Sequence, residues 1–309
     1  MISVVMATFN GEKNIKEQLL SLKKQTMTID EVIIFDDKSV DDTVDICERF
    51  IFENELSNWK IHCNEKNLGW KMNFRNAIKE ASGDIIFLCD QDDIWHLNKI
   101  ESMMTIMNDK KEILLLASNY TPFYEGSGVK LSLSSDEKNN DNTIEQIAFS
   151  EKSFYIRRPG CVYCFRSELI QYFDEYATQD YAHDAFLWRT ALMLDGLYIY
   201  HNSTIDYRRH SSNATTREKK TIQTKIKTVN AYTEILGSMN KFLNNEKPCN
   251  YTNKIIVVDR LLSWNTLRKD LIQNRNYGAW IKLYKYRDCF WKNSTWIADL
   301  LMVLGKVYR

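Results

Sequence analysis

The chain has 309 residues, of which 44% are hydrophobic, and its 41 basic side chains balance 41 acidic ones. This length suits one large domain with an appendage, while 3 Pro and 10 Gly leave little room for low-complexity linkers. The 7 cysteines are an odd number scattered through apolar stretches, and the first ten residues lack signal-peptide features, so we expect a cytoplasmic protein without a disulfide framework or a membrane span.

Short apolar runs alternate with helix-periodic segments through the first hundred residues, which is the pattern of βαβ units and a largely parallel sheet. Strands are predicted at residues 2–7, 31–35, 59–63, 85–89 and 113–117. Helices are predicted at residues 15–22, 44–51, 70–81 and 98–109. Because the run 85–89 is entirely apolar, we expect it to be a buried central strand.

The second half begins with a polar stretch, residues 125–142, which predicts a mobile surface loop. A strand at 160–165, an amphipathic helix at 183–194 and an extended segment at 197–207 are predicted to follow. Helical periodicity dominates from residue 216 onward. We therefore expect a catalytic domain over residues 1–215 and a helical extension over residues 216–309.

The net charge of zero conceals a division at this boundary. Residues 215–309 carry a net charge of +11, and the preceding residues carry −11. An acidic catalytic half suits a bound cation, and a basic tail suits an anionic surface, although exposed helices also carry Lys for solubility alone.

Polar residues follow three of the predicted strands, where ligands bind in α/β sheets of this kind. These residues are Thr8, Phe9 and Asn10 after the first strand, Asp36, Asp37, Lys38 and Ser39 after the second, and Asp90, Gln91, Asp92 and Asp93 after the run 85–89. The last group is the most informative, because three carboxylates within four positions repel one another unless a cation lies among them. Oxygen ligands of this kind suit Mg²⁺ or Mn²⁺, and the alternative is an Asp-rich helix N-terminus.

The segment after the first strand lacks the glycine spacing of a dinucleotide-binding or P-loop motif. Dehydrogenases and P-loop kinases are therefore disfavoured. A nucleotide held by acidic residues and a metal fits the remaining pattern. A metal-dependent nucleotidyltransferase and an inactive scaffold that binds a glycan or a partner are the alternatives.

The sequence resembles the family 2 glycosyltransferases, which have the GT-A fold. The similarity lies in four segments taken in order, residues 3–10, 35–43, 67–77 and 83–95. The last of them contains the family's D-x-D metal motif as Asp90 and Asp92. The run from Asp90 to Trp95 is similar to bacterial rhamnosyltransferase-like members that build capsular or cell-wall polysaccharide.

The resemblance implies a role for each matching residue. Asp92 would ligate the metal that bridges the diphosphate, with His210 as a further ligand and Asp90 and Asp93 in support. Asp184, which follows His183 at the start of a helix, would be the catalytic base. Residues implied to contact the nucleotide sugar are Thr8, Asn10, Asp36, Asp37, Asn67, Asn73, Asp90, Gly160 and Arg209.

The implied reaction is an inverting transfer from a dTDP- or UDP-linked sugar to a hydroxyl of a glycan or lipid-linked glycan, with Mn²⁺ or Mg²⁺ as cofactor and no nucleic acid as partner. Such a transfer needs a base on the acceptor and charge stabilisation on the departing diphosphate. In the tail, Trp296, Leu300, Val303 and Val307 form an apolar stripe at helical spacing. We expect this stripe to contact the inner membrane surface, the chain's own catalytic domain or a second copy.

Overall fold

One mixed sheet forms the centre of the molecule in the computed structural model, which describes residues 1–125, 133–178, 181–209, 221–292 and 294–305. Within these residues nine strands join in the order β3-β2-β1-β4-β8-β6-β9-β5, and β7 pairs with β9 at one side. The strands are β1 (Ile2–Thr8), β2 (Glu31–Asp36), β3 (Trp59–Cys63), β4 (Ile85–Asp90), β5 (Ile94–Trp95), β6 (Leu115–Tyr124), β7 (Ile144–Gln146), β8 (Tyr163–Arg166) and β9 (Leu197–Arg209).

The first half has the predicted alternation. β1 pairs in parallel with β2 and β4, and β2 pairs in parallel with β3. Helices α1 (Ile15–Lys23), α2 (Thr43–Glu53), α3 (Trp70–Glu80) and α4 (Lys99–Asp109) separate these strands or follow them. The predicted central strand is confirmed, because β4 lies between β1 and β8 and its residues Ile85 to Cys89 are buried. This arrangement brings the carboxyl ends of β1, β2 and β4 to one edge of the sheet.

The second half of the sheet is mixed rather than parallel. β8 runs antiparallel to both β4 and β6, whereas β6 and β9 pair in parallel with two register shifts. The strand predicted at 160–165 is wrong at its start, because Gly160–Val162 forms a 3-10 turn and the strand begins at Tyr163. A Cβ atom on Gly160 would lie 2.8 Å from the Cβ of Asp184, so this turn passes close to that residue.

The stretch predicted as a mobile loop is only partly described. Residues 133–142 contain a short helix, α5 (Ser135–Lys138), which is closed at its start by a capping box between Ser134 and Glu137. The carboxylate of Asp136 is ion-paired with Arg157 and Arg158, so this part of the stretch is fastened to the domain. The polar composition that predicted a mobile loop here reflects an ion-pair network.

Helices α6 (Phe173–Tyr176) and α7 (His183–Met193) lie within the first 209 residues, and in the described parts of residues 221–305 all the regular elements are helices. These are α8 (Ile222–Glu246), α9 (Tyr251–Asn274), α10 (Tyr277–Leu283) and α11 (Ser294–Val303), with a 3-10 segment at Tyr284–Cys289. Among the described helices, none is both long and apolar enough to cross a bilayer.

The predicted apolar stripe of the tail packs on the tail itself. The indole rings of Trp296 and Trp280 stack with centroids 4.4 Å apart, and each indole N–H donates to the other residue's carbonyl. Val303 is buried, and the carboxylate of the buried Asp299 pairs with Arg268 at 2.8 Å. Val307 lies outside the described residues.

Candidate active site

The ends of β1 and β2 are cross-linked by side chains. Thr8 and Asp36 are register partners, and the Thr8 hydroxyl donates to Asp36 Oδ2 at 2.8 Å. Ser39 donates to the same carboxylate through its hydroxyl at 2.6 Å and its backbone N–H at 2.7 Å. Asn10, which is exposed and has a φ of 49°, accepts from the N–H of Val40 at 3.0 Å. The two strand ends are therefore joined before any ligand contributes.

Asp37 holds the loop that precedes α3. Its buried carboxylate accepts from the N–H groups of Leu68 and Gly69 at 2.7 and 2.8 Å and from the Asn64 amide at 2.9 Å. Asn67 is exposed and donates to the Asp37 carbonyl at 3.1 Å, while the buried Asn73 donates to the carbonyl of Phe35 at 2.7 Å. Asp37 and Asn73 thus shape this edge through contacts with the chain itself, and a contact with a nucleoside stays a prediction for both.

Gln91 connects β4 to the segment after β1. Its side-chain oxygen accepts from the N–H of Phe9 at 2.8 Å, and its nitrogen donates to the carbonyl of the same residue at 3.0 Å. A Cβ atom on Gly11 would lie 2.4 Å from that side-chain oxygen, so a larger residue there would displace the Gln91 amide. Sequence reasoning missed this residue, although an amide between two aspartates can both donate and accept, which was the available signal.

The acidic cluster lies at the end of β4. Carboxylate oxygens of Asp90 and Asp93 and the Cys161 sulfur all lie within 4.8 Å of one another. Asp93 is fully buried, and one of its oxygens accepts from the N–H of Arg208 at 3.0 Å. Its other oxygen has no hydrogen-bond partner in the part of the chain that the structure describes. A buried carboxylate oxygen without a donor is costly, and a cation would offset that cost.

Crowding of negative charge changes the protonation of this cluster. Burial, together with the charges of Asp92 and Asp184, raises the pKa of the Asp90 carboxyl from 3.8 to about 7. Burial and the neighbouring Asp90 and Asp92 also raise the pKa of Asp93 well above its usual range. Oxygen-rich, mutually repelling carboxylates are the donor set that Mg²⁺ and Mn²⁺ accept, so the residues fit a divalent cation.

Two buried basic residues surround the cluster. The Arg208 guanidinium donates to the Asp92 carbonyl at 2.6 Å and pairs with Glu17 and Glu125. Lys99 is fully buried, donates to the Cys161 carbonyl at 3.0 Å and lies 4.3 Å from the Trp95 ring centroid, and burial lowers its pKa to about 8. Sequence reasoning missed both residues, because nothing in the local pattern distinguishes them from surface Lys and Arg.

Asp184 faces the cluster from the first turn of α7. Its charge contributes to the raised pKa of Asp90, and a Cβ atom on Gly160 would lie 2.8 Å from the Asp184 Cβ. The structure therefore brings Gly160 and Asp184 together. The neighbouring His183 is buried, stacks on Phe74 with ring centroids 4.1 Å apart, and has its pKa lowered to about 4 by burial.

Arg209 is the last residue of β9. The Arg209 guanidinium stands over the Tyr207 ring at 5.6 Å, and one of its N–H groups donates to the Tyr207 hydroxyl at 3.4 Å. His210 lies outside the described residues, so its predicted metal contact has no structural counterpart here.

A second group of possible ligands, Asp136, Glu145 and His201, already has a positively charged neighbour, the side chain of Arg157. An Arg157 nitrogen lies 2.7 Å from Asp136 and 3.2 Å from Glu145. The guanidinium thus supplies the positive charge that a metal would bring. We therefore assign the candidate cation site to the end of β4, in the class of α/β proteins that bind ligands at the carboxyl edge of the sheet.

Comparison with known proteins identifies the family. The family model described as "Glycosyl transferase family 2" matches residues 3–173. The dTDP-rhamnosyl transferase RfbG of Shigella flexneri is 32% identical over 219 residues, which make up 67% of this chain and 72% of that protein. The chain therefore belongs to glycosyltransferase family 2 and is a glycosyltransferase.

Two further similarities cover different shares of the chain. The UDP-Glc:alpha-D-GlcNAc-diphosphoundecaprenol beta-1,3-glucosyltransferase WfgD of Escherichia coli is 35% identical over 121 residues, 39% of this chain and 46% of that one. The crystal structure of S. aureus TarS 1-349 in complex with UDP-GlcNAc superposes with a TM-score of 0.63 at 20% identity, covering 99% of this chain and 83% of that chain. This likeness confirms the fold expected from the resemblance.

Proposed function

We propose that this chain transfers a sugar from a nucleoside diphosphate to a hydroxyl of a glycan acceptor, with inversion at the anomeric carbon, in the synthesis of a bacterial surface polysaccharide. The proposal rests on carboxylates from two parts of the chain that lie close together. Asp90, Asp92 and Asp93 form a cluster at the end of β4, and Asp184 faces this cluster from α7, in a chain of glycosyltransferase family 2.

In this proposal the acidic cluster holds a divalent cation, Mn²⁺ or Mg²⁺, through Asp90 and Asp92, with Asp93 in support. The cation would supply charge stabilisation for the departing diphosphate. The unpartnered oxygen of Asp93 and the raised pKa of Asp90 support the proposal, because both conditions are relieved by a positive charge at that point. Arg209 would add positive charge toward the diphosphate, and His210 stays a predicted further ligand of the metal.

The nucleotide-sugar donor would lie along the edge of the sheet where side chains cross-link the ends of β1 and β2. We propose that Thr8, Asn10 and Asp36 border the nucleoside, and that Asp37, Asn67 and Asn73 hold the loop beneath it. Names of the relatives support a dTDP- or UDP-linked donor, since RfbG is a dTDP-rhamnosyl transferase and TarS is described in complex with UDP-GlcNAc. WfgD acts on a diphosphoundecaprenol-linked sugar by its name, which supports a glycan or lipid-linked glycan as acceptor here.

Asp184 would act as the general base. An inverting transfer is an in-line displacement that requires no protein nucleophile, so the chain must take one proton from the acceptor hydroxyl. A half-buried carboxylate at the start of a helix, held in place against Gly160, meets this requirement. Gly160 would border the donor sugar beside it. We place the end of this catalytic unit at residue 215, before the helical extension.

The experiment is a comparison of sugar transfer and nucleotide-sugar hydrolysis in the wild type, Asp92→Asn and a matched control, Asp109→Asn, at the exposed end of α4. We expect turnover that needs Mn²⁺ or Mg²⁺, that Asp92→Asn abolishes and that the control retains. Full activity in excess EDTA would contradict the metal assignment. Release of diphosphate from a nucleoside triphosphate, instead of nucleoside diphosphate from a nucleotide sugar, would identify a nucleotidyltransferase.

A further inference from the structure

The outer face of the helical extension is apolar over two neighbouring helices. On α10 and the 3-10 segment after it, Tyr277, Ile281 and Tyr284 recur at helical spacing, and Ile281 is 68% exposed. Ile297 on α11 is 46% exposed, and Leu304, in the turn directly after α11, is 48% exposed. We call the five residues Tyr277, Ile281, Tyr284, Ile297 and Leu304 the outer face. It differs from the predicted stripe, which packs inside the extension.

The two halves of the outer face adjoin each other. The ring of Tyr284 lies 5.7 Å from that of Trp296, and Ile297 is the next residue of α11. Trp296 in turn stacks on Trp280, which holds α11 against α10. Exposed apolar side chains therefore lie on two helices that pack against each other, and apolar residues gathered in this way often mark a binding surface.

Helix α11 is apolar on both sides. Its single charged residue, Asp299, is buried and pairs with Arg268 at 2.8 Å and with Lys225 at 3.0 Å. The exposed side of this helix consequently offers water no charged group within Ser294–Val303. A helix with such a composition needs an apolar neighbour on each side.

Basic residues border the outer face. Exposed Lys282, Lys285, Arg287 and Lys292 lie on α10 or between α10 and α11. Asp288 in this region is paired with Arg260 at 2.6 Å, and Asp270 accepts from the Asn276 amide at 2.6 Å just before α10. Apolar and aromatic side chains flanked by the four exposed basic residues match the headgroup region of an anionic bilayer. A second copy of the chain would instead bring the same positive charges face to face across a two-fold interface.

We propose that the outer face docks the protein on an anionic membrane surface, with α10 and α11 lying in the interface plane. This function is separate from sugar transfer and does not depend on the proposed chemistry. Membrane docking would confine the enzyme to the plane in which lipid-linked acceptors are found.

The test measures sedimentation of the full chain with phosphatidylcholine vesicles that do or do not contain about one third phosphatidylglycerol. We expect binding to the anionic vesicles alone, and its loss at high salt, where the Debye length falls to about 3 Å. Lys282→Gln with Lys285→Gln should bind about thirtyfold more weakly, because each basic residue contributes roughly a fivefold factor. The matched control, Lys110→Gln with Lys111→Gln, removes two exposed charges beyond the end of α4 and should bind as the wild type does.

The apolar contribution is tested with Ile281→Glu and Ile297→Glu together, against Phe52→Glu, which changes an 84% exposed residue of α2. We expect the first variant to lose about tenfold or more in vesicle binding and the second to lose nothing. Circular dichroism and nucleotide-sugar hydrolysis verify that each variant is folded. Equal, negligible sedimentation of the wild type and the variants at low salt would overturn the proposal. A wild-type dimer that Ile281→Glu with Ile297→Glu dissociates would also overturn it, because the face would then bind a second copy.

Discussion

Proton and metal should compete for Asp90. Burial and the charges of Asp92 and Asp184 raise the pKa of this carboxyl to about 7, so most of it is protonated at pH 6 and most is ionised at pH 8. Because a metal ligand must be ionised, the apparent affinity for Mn²⁺ should be about tenfold lower at pH 6 than at pH 8 and should level off above that. The folded state holds this proton more tightly than the unfolded chain does. Its stabilising effect is therefore present below about pH 4 and is lost as the pH rises through about 7.

Isothermal titration calorimetry with Mn²⁺ at several pH values measures this competition. Repeating it in buffers of different ionisation enthalpy counts the protons released, which should approach one per ion near pH 6. The thermal shift produced by Mn²⁺ should also be larger at pH 8 than at pH 6. At pH 8 Asp90 is ionised and binds the ion more tightly, and tighter binding stabilises the folded state more.

Two variants test whether the pH dependence of Mn²⁺ binding arises from Asp90 and not from acidic residues elsewhere in the protein. Asp184→Asn removes one of the charges that raise the Asp90 pKa, so the midpoint of the pH dependence should move below 7. Asp84→Asn changes an exposed carboxylate just before the opposite end of β4 and should leave the midpoint unchanged. An Mn²⁺ affinity that is the same at pH 6 and pH 8, with no proton release, would refute the reasoning.

Three further outcomes follow from contacts in the structure. Asp184→Asn should lower turnover by about 10²–10⁴-fold while donor binding measured by calorimetry survives, and a binding loss with normal turnover would contradict a base role. Gly160→Ala should lower turnover by about tenfold or more, because its new Cβ atom would lie 2.8 Å from the Cβ of Asp184 and displace that side chain. The midpoint of urea unfolding should change little. Unchanged kinetics would show that the site accommodates the methyl group. Asp299→Ala should cost about 3–5 kcal/mol of unfolding free energy, since it leaves a buried arginine unpaired, whereas Asp288→Ala in an exposed pair should cost about 1 kcal/mol or less. Equal costs in chemical denaturation would argue against the buried pair.

The first half of the fold could be predicted because its signals are local. Strands β1 to β4 and helices α1 to α4 are each marked by apolar periodicity and polar punctuation, and their order implies parallel pairing. The antiparallel β8 is placed by pairing with β4 and β6, and the 3-10 turn at Gly160–Val162 lies close to Asp184, and neither arrangement has a local signature in the sequence.

The candidate site was likewise predictable where its signals are local and not where they depend on long-range contacts. The acidic residues after β4 could be found from the sequence because repulsion between adjacent carboxylates is itself a signal. Gln91 had a signal in the sequence, its amide between two aspartates, but Arg208 and Lys99 could not be found, because their roles arise from contacts between segments far apart in the chain. The tail shows the same limit, since periodicity identified the apolar stripe that includes Trp296, Leu300 and Val303 but not the part of the chain that covers it.

The hydrogen bonds from Thr8 and Ser39 to Asp36, and from Gln91 to the backbone of Phe9, have a consequence for donor choice. They fix the ends of β1, β2 and β4 in advance, so a donor that binds at this edge would not have to order them. Selection among donors would then depend on backbone positions shared among the three strands. Changing the preferred nucleobase by engineering would then require coordinated substitutions in several strand ends instead of one exchanged side chain.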